Sequence, residues 1–118
     1  MADSVARAQL LKKLLVLLEQ RLLQTGHWQV EAPPPEAFNS PEPFCVDSMS
    51  LQQWLRYVFI PRLQAIIDAN ASLPDSCAIT AQIEMALNCN KKARVMEVTL
   101  AIDLLLTEKQ LPPLRMLK

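Results

Sequence analysis

LLKKLLVLLEQRL, residues 10–22, is the stretch that decides the fold, because its leucines recur at helical spacing. At 100° per residue, six of them share one face about 140° wide: Leu10, Leu11, Leu14, Leu15, Leu18 and Leu22. Charged and amide side chains occupy the opposite face. The pattern predicts a one-faced amphipathic helix that packs against other elements. We expect it to run to about Thr25 and to end at Gly26 in a left-handed conformation.

The composition restricts the classes of function. The chain has 118 residues, 12 Lys and Arg against 12 Asp and Glu, 51% hydrophobic residues, nine prolines and one glycine. Average usage of about 7% would give roughly eight glycines. Phosphate-binding loops, Rossmann fingerprints and tight hairpin turns all need glycine, so nucleotide-binding α/β folds and hairpin-rich all-β folds are almost excluded. The length fits one domain, residues 1–118.

The distribution of apolar residues and cysteines indicates a compartment. The run at residues 14–18 is too short for a membrane span or a leader peptide, so we expect a cytoplasmic protein that makes no membrane contact. Cys45, Cys77 and Cys89 are odd in number and widely spaced, which favours reduced thiols. Together with a single histidine they form no metal-ligand pattern, and we expect neither a metal nor a cofactor.

A long segment without helical periodicity follows the first helix, at about residues 26–49. Its five prolines exclude a helix: Pro33, Pro34, Pro35, Pro41 and Pro43. It also carries more large apolar side chains than a linker does: Trp28, Val30, Phe38, Phe44 and Val46. We therefore expect an ordered loop that lies across the bundle with these side chains inserted.

The start of the second helix carries the clearest local signal. Residues 50–53, SLQQ, form a capping box, so the helix begins at Leu51. Pro61 removes the amide that would bond the carbonyl of Tyr57, and we expect a proline kink or a break near residues 59–62.

Two further helices complete the predicted fold. Asp75 or Ser76 is expected to cap a third helix that ends near Leu87. A fourth, from about residue 91 to 107, follows a cap at Asn88 or Asn90 and is apolar almost all round, which places it at the centre of the fold. Residues 108–118 form a short tail. The sequence thus predicts an all-α four-helix bundle.

Two charged residues lie where the pattern predicts apolar ones. Arg62 falls at the centre of the apolar face of the second helix, and Asp103 lies in the apolar fourth helix. Because a buried unpaired charge is costly, one hypothesis is a buried ion pair of Arg62 with Asp47 or Asp103. The alternative is that the kink turns Arg62 outward, so that its stem covers apolar surface.

Two other groups of residues have the chemistry of candidate sites. Lys91, Lys92 and Arg94 gather at the start of the fourth helix, where the helix dipole favours an anion such as an RNA backbone or an acidic peptide. A solvated turn is the favoured alternative, since the net charge is zero. His27 and Cys45 lack the third group of a nucleophilic site, so we expect no catalytic residues and no enzyme.

The segment FNSPEPFCVDSMSLQQWLRYVFIPRL, residues 38–63, is preceded by HW and followed by SLP and IEMAL. With these motifs the chain resembles the YqcC-like family of small bacterial proteins of unknown function. The resemblance implies an all-α four-helix bundle and, for some members, a gene beside a tRNA pseudouridine synthase. It brings no catalytic or binding residues to carry over.

These observations favour a non-catalytic module that binds a protein partner. Six residues of the loop and second helix are the candidates for recognising that partner or for locking the loop: Trp28, Phe44, Asp47, Trp54, Pro61 and Arg62. The alternative is an RNA-associated accessory protein that acts with a tRNA-modifying enzyme, a pseudouridine synthase, through the cationic cluster. The sequence also leaves a homo-oligomer open.

Overall fold

Helices make up the regular structure of the protein, which a computed structural model describes for residues 2–87 and 91–117. Helix α1 is Ala2–Gln24, α3 is Thr80–Ala86 and α4 is Lys92–Thr107. Helix α2 continues through three segments, Leu51–Trp54, Leu55–Phe59 and Ile60–Asp68. Short 3₁₀ turns lie at Pro35–Asn39, Pro43–Cys45 and Leu114–Leu117. The described residues contain no strand, and the predicted all-α fold is confirmed.

The first helix forms as its leucine pattern predicts. Five of the six leucines are fully buried: Leu11, Leu14, Leu15, Leu18 and Leu22. Gly26 has a φ of +80° and its amide donates to the carbonyl of Leu23 at 3.2 Å. The amide of His27 donates to the carbonyl of Leu22 at 2.8 Å. These bonds satisfy two of the last four carbonyls of α1, so the predicted glycine end of the helix is confirmed.

The fourth helix lies at the centre of the fold, as its all-round hydrophobicity predicts. It packs against both α1 and α3. Eight of its side chains are buried: Val95, Val98, Thr99, Ala101, Ile102, Asp103, Leu105 and Leu106. The two asparagines predicted to cap it, Asn88 and Asn90, lie outside the described residues, as does Cys89. No described helix has the length and hydrophobicity needed to cross a membrane.

The capping box predicted at the start of α2 is present. The amide of Gln53 donates to Ser50 Oγ at 3.1 Å, and the amide of Ser50 donates to Gln53 Oε1 at 2.9 Å. Two amides that the first turn would leave without partners are thereby satisfied. Helix α2 begins at Leu51, as predicted.

The structure has a distortion at Pro61, as expected. It takes the form of a wider helical turn immediately before the proline, and the helix is not broken. Residues Leu55–Phe59 form a π-helical turn, in which the amide of Ile60 donates to the carbonyl of Leu55, five residues back. A regular α-turn would press the proline ring against the carbonyl of Tyr57. The wider turn relieves that contact and inserts one extra residue into the helix.

The extra residue corrects the predicted face of α2 and decides between the two hypotheses for Arg62. It shifts every later side chain by one position, so that Leu63 takes the place that the regular helical pattern assigns to Arg62. Leu63 is 4% exposed, whereas Arg62 lies at the surface. Ala65 and Ala69, which the same pattern assigns to the apolar face, are exposed as well. The hypothesis of a buried ion pair of Arg62 with Asp47 or Asp103 is therefore wrong, and the structure agrees with the alternative, in which the distortion at Pro61 turns Arg62 outward.

Asp103 instead binds the start of α3, which begins later than predicted. Its carboxylate accepts from the amide of Ile79 at 3.0 Å, and from the amide and hydroxyl of Thr80 at 3.1 and 2.7 Å. Asp75 and Ser76, the predicted caps, lie outside the helix. A carboxylate from α4 thus supplies the cap that no neighbouring side chain provides.

Candidate partner-binding cavity

Three polar side chains of α2 hold the first part of the long loop. They lie on one face of the helix at positions i, i+3 and i+4 and donate to three loop carbonyls. The bonds are Gln53 Nε2 to Glu31 O at 3.0 Å, Arg56 Nη1 to Trp28 O at 2.7 Å, and Tyr57 Oη to Val30 O at 2.9 Å. Our sequence prediction missed this role, although the shared helical face of three long donors was a signal that could have found it.

Arg56 also fixes the position of Trp28. Its guanidinium carbon lies 4.7 Å from the centroid of the Trp28 ring and 5.3 Å from that of Tyr57. Both distances are in the range of cation–π attraction. Trp28 also packs against the main core. Its contacts thus join the loop to the bundle. Of the two roles that the sequence allowed, recognising a partner and locking the loop, these contacts correspond to locking the loop.

The second part of the loop carries a row of aromatic rings into α2. The rings of Phe44 and Trp54 meet edge to face with centroids 4.9 Å apart, and Trp54 stacks on Phe59 at 5.2 Å. Phe44 and Cys45 have φ values of +60° and +49°. The left-handed region costs about 1–2 kcal/mol for each residue with a side chain. The surrounding contacts therefore hold Phe44 in a strained position against Trp54.

A small apolar cluster supports this strained turn from beneath. Its buried members come from the loop and α2: Ala37, Cys45, Met49 and Val58. The hydroxyl of Ser48 donates to the carbonyl of Ala37 at 2.8 Å. Phe38 and Val46, however, are 43% and 66% exposed. The expectation that all the large apolar side chains of the loop are inserted is therefore wrong for these two.

Asp47 acts within the loop. It is exposed and accepts a hydrogen bond from the hydroxyl of Ser40. The same hydroxyl accepts from the amide of Glu42 at 3.1 Å. The carboxylate thus fixes the turn around Pro41 and contacts neither Arg62 nor the cavity described next.

An apolar cavity of about 250 Å³ opens at the surface between the aromatic row, the middle of α2 and the segment that leads into α3. Its lining residues are Phe44, Trp54, Phe59, Arg62, Leu63, Pro74, Ser76, Cys77, Ala78, Ile79 and Leu106. Three of the six predicted recognition residues, Phe44, Trp54 and Arg62, meet here. Trp28, Asp47 and Pro61 do not line it. Arg62 is the charged member of the lining.

The backbone and thiol of Cys77 form part of one wall. Thr107 Oγ1 accepts from the amide of Cys77 at 2.9 Å and donates to its carbonyl at 3.0 Å, so the segment is fixed to α4. Burial raises the pKa of the Cys77 thiol, and the hydrogen bond and negative charge of Asp103 raise it further. The thiol is therefore protonated at neutral pH and is a poor nucleophile.

The single histidine and the loop cysteine, which lacked the third group of a nucleophilic site in the sequence, have separate contacts in the structure. His27 Nδ1 pairs with Thr25 Oγ1 at 2.8 Å, whereas Cys45 is buried in the apolar cluster beneath the loop. Among the residues that the structure describes, no three His, Cys, Asp or Glu side chains gather closely enough to hold a metal ion.

The cationic cluster at the start of α4 is largely engaged with the protein itself. Lys92 Nζ donates to the carbonyl of Glu84 at 3.1 Å, at the end of α3. Arg94 Nη2 donates to Gln24 Oε1 at 3.1 Å. Lys91 is exposed. Two of the three cations thus stabilise contacts between helices, which weakens the case for an anion site here.

The fold and the cavity define a small all-helical protein with an apolar recess at its surface. Residues 10–105 match the family DUF446, whose description reads "tRNA pseudouridine synthase C". The chain belongs to this family.

Two uncharacterised relatives and one solved structure agree with the resemblance seen in the sequence. An uncharacterised protein of Haemophilus influenzae is 43% identical over 76 residues, which are 64% of this chain and 72% of the relative. The uncharacterised protein YqcC of Escherichia coli K12 is 37% identical over 82 residues, 70% of this chain and 75% of YqcC. The solution NMR structure of E. coli YqcC superposes with a TM-score of 0.76 at 30% identity, covering 88% of this chain and 91% of that one.

A third relative is a much longer protein. The protein named tRNA pseudouridine synthase C of Pectobacterium carotovorum subsp. carotovorum is 40% identical over 72 residues. The match covers 61% of this chain but 19% of that protein. The likeness therefore concerns about a fifth of the longer polypeptide.

Proposed function

We propose that this protein is a non-catalytic interaction module that takes a side chain of a protein partner into the cavity beside Phe44 and Trp54. One observation carries the proposal: an apolar recess of about 250 Å³ is open at the surface, and fixed aromatic rings form its wall. Apolar recesses lined by aromatic residues are typical positions for the few side chains that dominate a protein interface.

The size of the recess suits one large apolar side chain. Burying a Leu, Phe or Met side chain contributes about 1.5–3 kcal/mol to binding. The walls are already ordered by Thr107 at Cys77 and by the aromatic row, so binding orders little of this protein. A preformed site loses less conformational entropy on binding than a flexible one, which favours measurable affinity from a single anchor.

Peptide display tests the proposal with the full chain as bait. Random 12-residue peptides on phage are expected to bind wild-type protein. Ala78 is exposed and lines the cavity, so Ala78→Trp is expected to fill the opening and abolish binding. Ala93→Trp is the matched control, because Ala93 is exposed and lies about 20 Å along α4 from Leu106. Equal binding by both variants, or none by the wild type, would refute the proposal.

The second candidate function is that of an accessory protein whose partner is a tRNA pseudouridine synthase. A separate observation favours this function. A stretch similar to this chain occurs within a longer protein that bears that name. In this alternative, the protein is an accessory of the synthase and acts with it on RNA.

Sedimentation of the protein mixed with the synthase from its own organism tests this alternative, with and without tRNA. A complex that forms without tRNA and is lost with Ala78→Trp would show that the synthase binds at the cavity, so that both candidate functions would hold. A complex that needs tRNA and weakens steeply with salt would indicate an RNA contact instead, through exposed Lys91 and its neighbours. No complex under either condition would exclude the alternative.

A further inference from the structure

We infer that the cavity selects a partner segment in which a large apolar side chain stands next to an Asp or Glu, with Arg62 binding the carboxylate. The inference rests on the proposed function and names the chemistry of the partner. It follows from the charge at the opening of the cavity and from the position of Arg62 beside its apolar lining.

Among the described residues that line the cavity, Arg62 is the one that carries a charge, and it is exposed. The ion pairs between described residues are Arg21 with Glu97 at 3.6 Å and Arg115 with Glu97 at 3.4 Å. Neither involves Arg62. The exposed guanidinium is therefore accessible to a carboxylate that arrives from outside.

Three other ionisable groups lie near the cavity, Cys77, Asp103 and Asp75, and none of them forms an ion pair with Arg62 among the described residues. Asp75, which follows one lining residue in the chain and precedes another, is exposed and lines a different pocket. Cys77 is a protonated thiol, as derived above. Asp103, which lies behind the wall, directs both carboxylate oxygens to the amides and hydroxyl at the start of α3. The recess thus combines an apolar interior with one guanidinium in its lining, which is complementary to an apolar group that carries an adjacent negative charge.

The π-turn sets how close the two recognition elements stand. Leu63 contributes to the apolar lining and is 4% exposed, while its chain neighbour Arg62 reaches the opening. A ligand that contacts both must carry its apolar and negative groups within a residue or two of each other. A guanidinium also offers paired N–H donors that match a carboxylate, which an ammonium cannot do.

The composition of the peptides selected on phage tests the inference. Peptides selected on the wild type are expected to contain Leu, Phe, Met or Trp with Asp or Glu within two positions. Arg62→Glu is expected to replace that preference by Lys or Arg. For one acidic peptide synthesised after selection, Arg62→Glu should weaken binding about five- to tenfold at low salt, and less at 0.5 M salt.

The outcomes separate this inference from the proposed function. Binding that Ala78→Trp abolishes but that shows no preference for acidic residues would overturn the inference and leave the proposed function standing. Absence of any selected peptide would overturn both. Self-association that Arg62→Glu abolishes would overturn the inference, because a second copy would then fill the cavity. An acidic lipid that native mass spectrometry detects on the wild type but not on Ala78→Trp would also overturn the inference.

Discussion

The bonds of Asp103 to the start of α3 predict a large loss of stability when its carboxylate is removed. Asp103 is 9% exposed and accepts three hydrogen bonds from Ile79 and Thr80. Replacement by alanine leaves two backbone amides of the first turn without an acceptor. Ile79 is 3% exposed, so water does not readily replace the carboxylate there.

The magnitude follows from the cost of an unsatisfied buried amide, which is about 1–3 kcal/mol. Two such amides give an expected loss of about 4 kcal/mol in the free energy of unfolding for Asp103→Ala. At about 2.1 cal/mol/K per residue, unfolding of a 118-residue chain carries an entropy of roughly 0.25 kcal/mol/K. The melting temperature should therefore fall by about 16 °C.

Urea unfolding followed by far-UV circular dichroism measures this change. Asp103→Asn should lose about half as much, because its amide group retains one acceptor oxygen. Asp68→Ala serves as the control: Asp68 is exposed at the end of α2, and its removal should change stability by less than about 0.5 kcal/mol. An Asp103→Ala protein within 1 kcal/mol of the wild type would refute the assigned role.

Three other measurements test local features. Ser50→Ala should destabilise the protein by about 1 kcal/mol through loss of the capping box, whereas Gln52→Ala on the same turn should be neutral; equal effects would contradict the assignment. Arg56→Lys should lower the urea midpoint by the equivalent of about 1 kcal/mol, because an ammonium cannot reproduce the stacked, planar contact. Alkylation of Cys77 by iodoacetamide, followed by mass spectrometry, should be slow even at pH 8.5 because burial and Asp103 raise the thiol pKa. Asp103→Asn removes the negative charge, lowers that pKa and shifts the alkylation profile to lower pH; faster alkylation without such a shift would indicate local opening instead.

Local signals in the sequence were sufficient for α1 and for the start of α2. A leucine face and a glycine end are properties of one segment, and so is a capping box of two residues three apart. The start of α3 depends on a carboxylate 24 residues further along the chain from Ile79. Asp75 carries the usual cap chemistry, but Thr107 holds the backbone of Cys77 and the helix begins beyond it. A cap supplied by another helix leaves no trace in the local pattern.

The loop shows the same division between local and distant causes. Its prolines and its lack of periodicity were visible in the sequence, and so were Phe44 and Trp54 as candidates for the site. The sequence did not show which apolar side chains of the loop point inward, because hydrogen-bond donors on α2 set the path of the loop. Arg56 determines where Trp28 lies, and the burial of Cys45 and Met49 leaves Val46 outside.

The π-turn before Pro61 connects the open question about Arg62 in the sequence with the candidate site. A regular helix would place Arg62 in the core and would require a buried carboxylate to neutralise it. The extra residue in the turn places Leu63 in the core and moves Arg62 to the opening of the cavity. The charge that contradicted the apolar pattern is thus explained without an internal partner. The same displacement places a guanidinium beside an apolar recess, which is the arrangement on which the proposed recognition of an acidic, apolar segment depends.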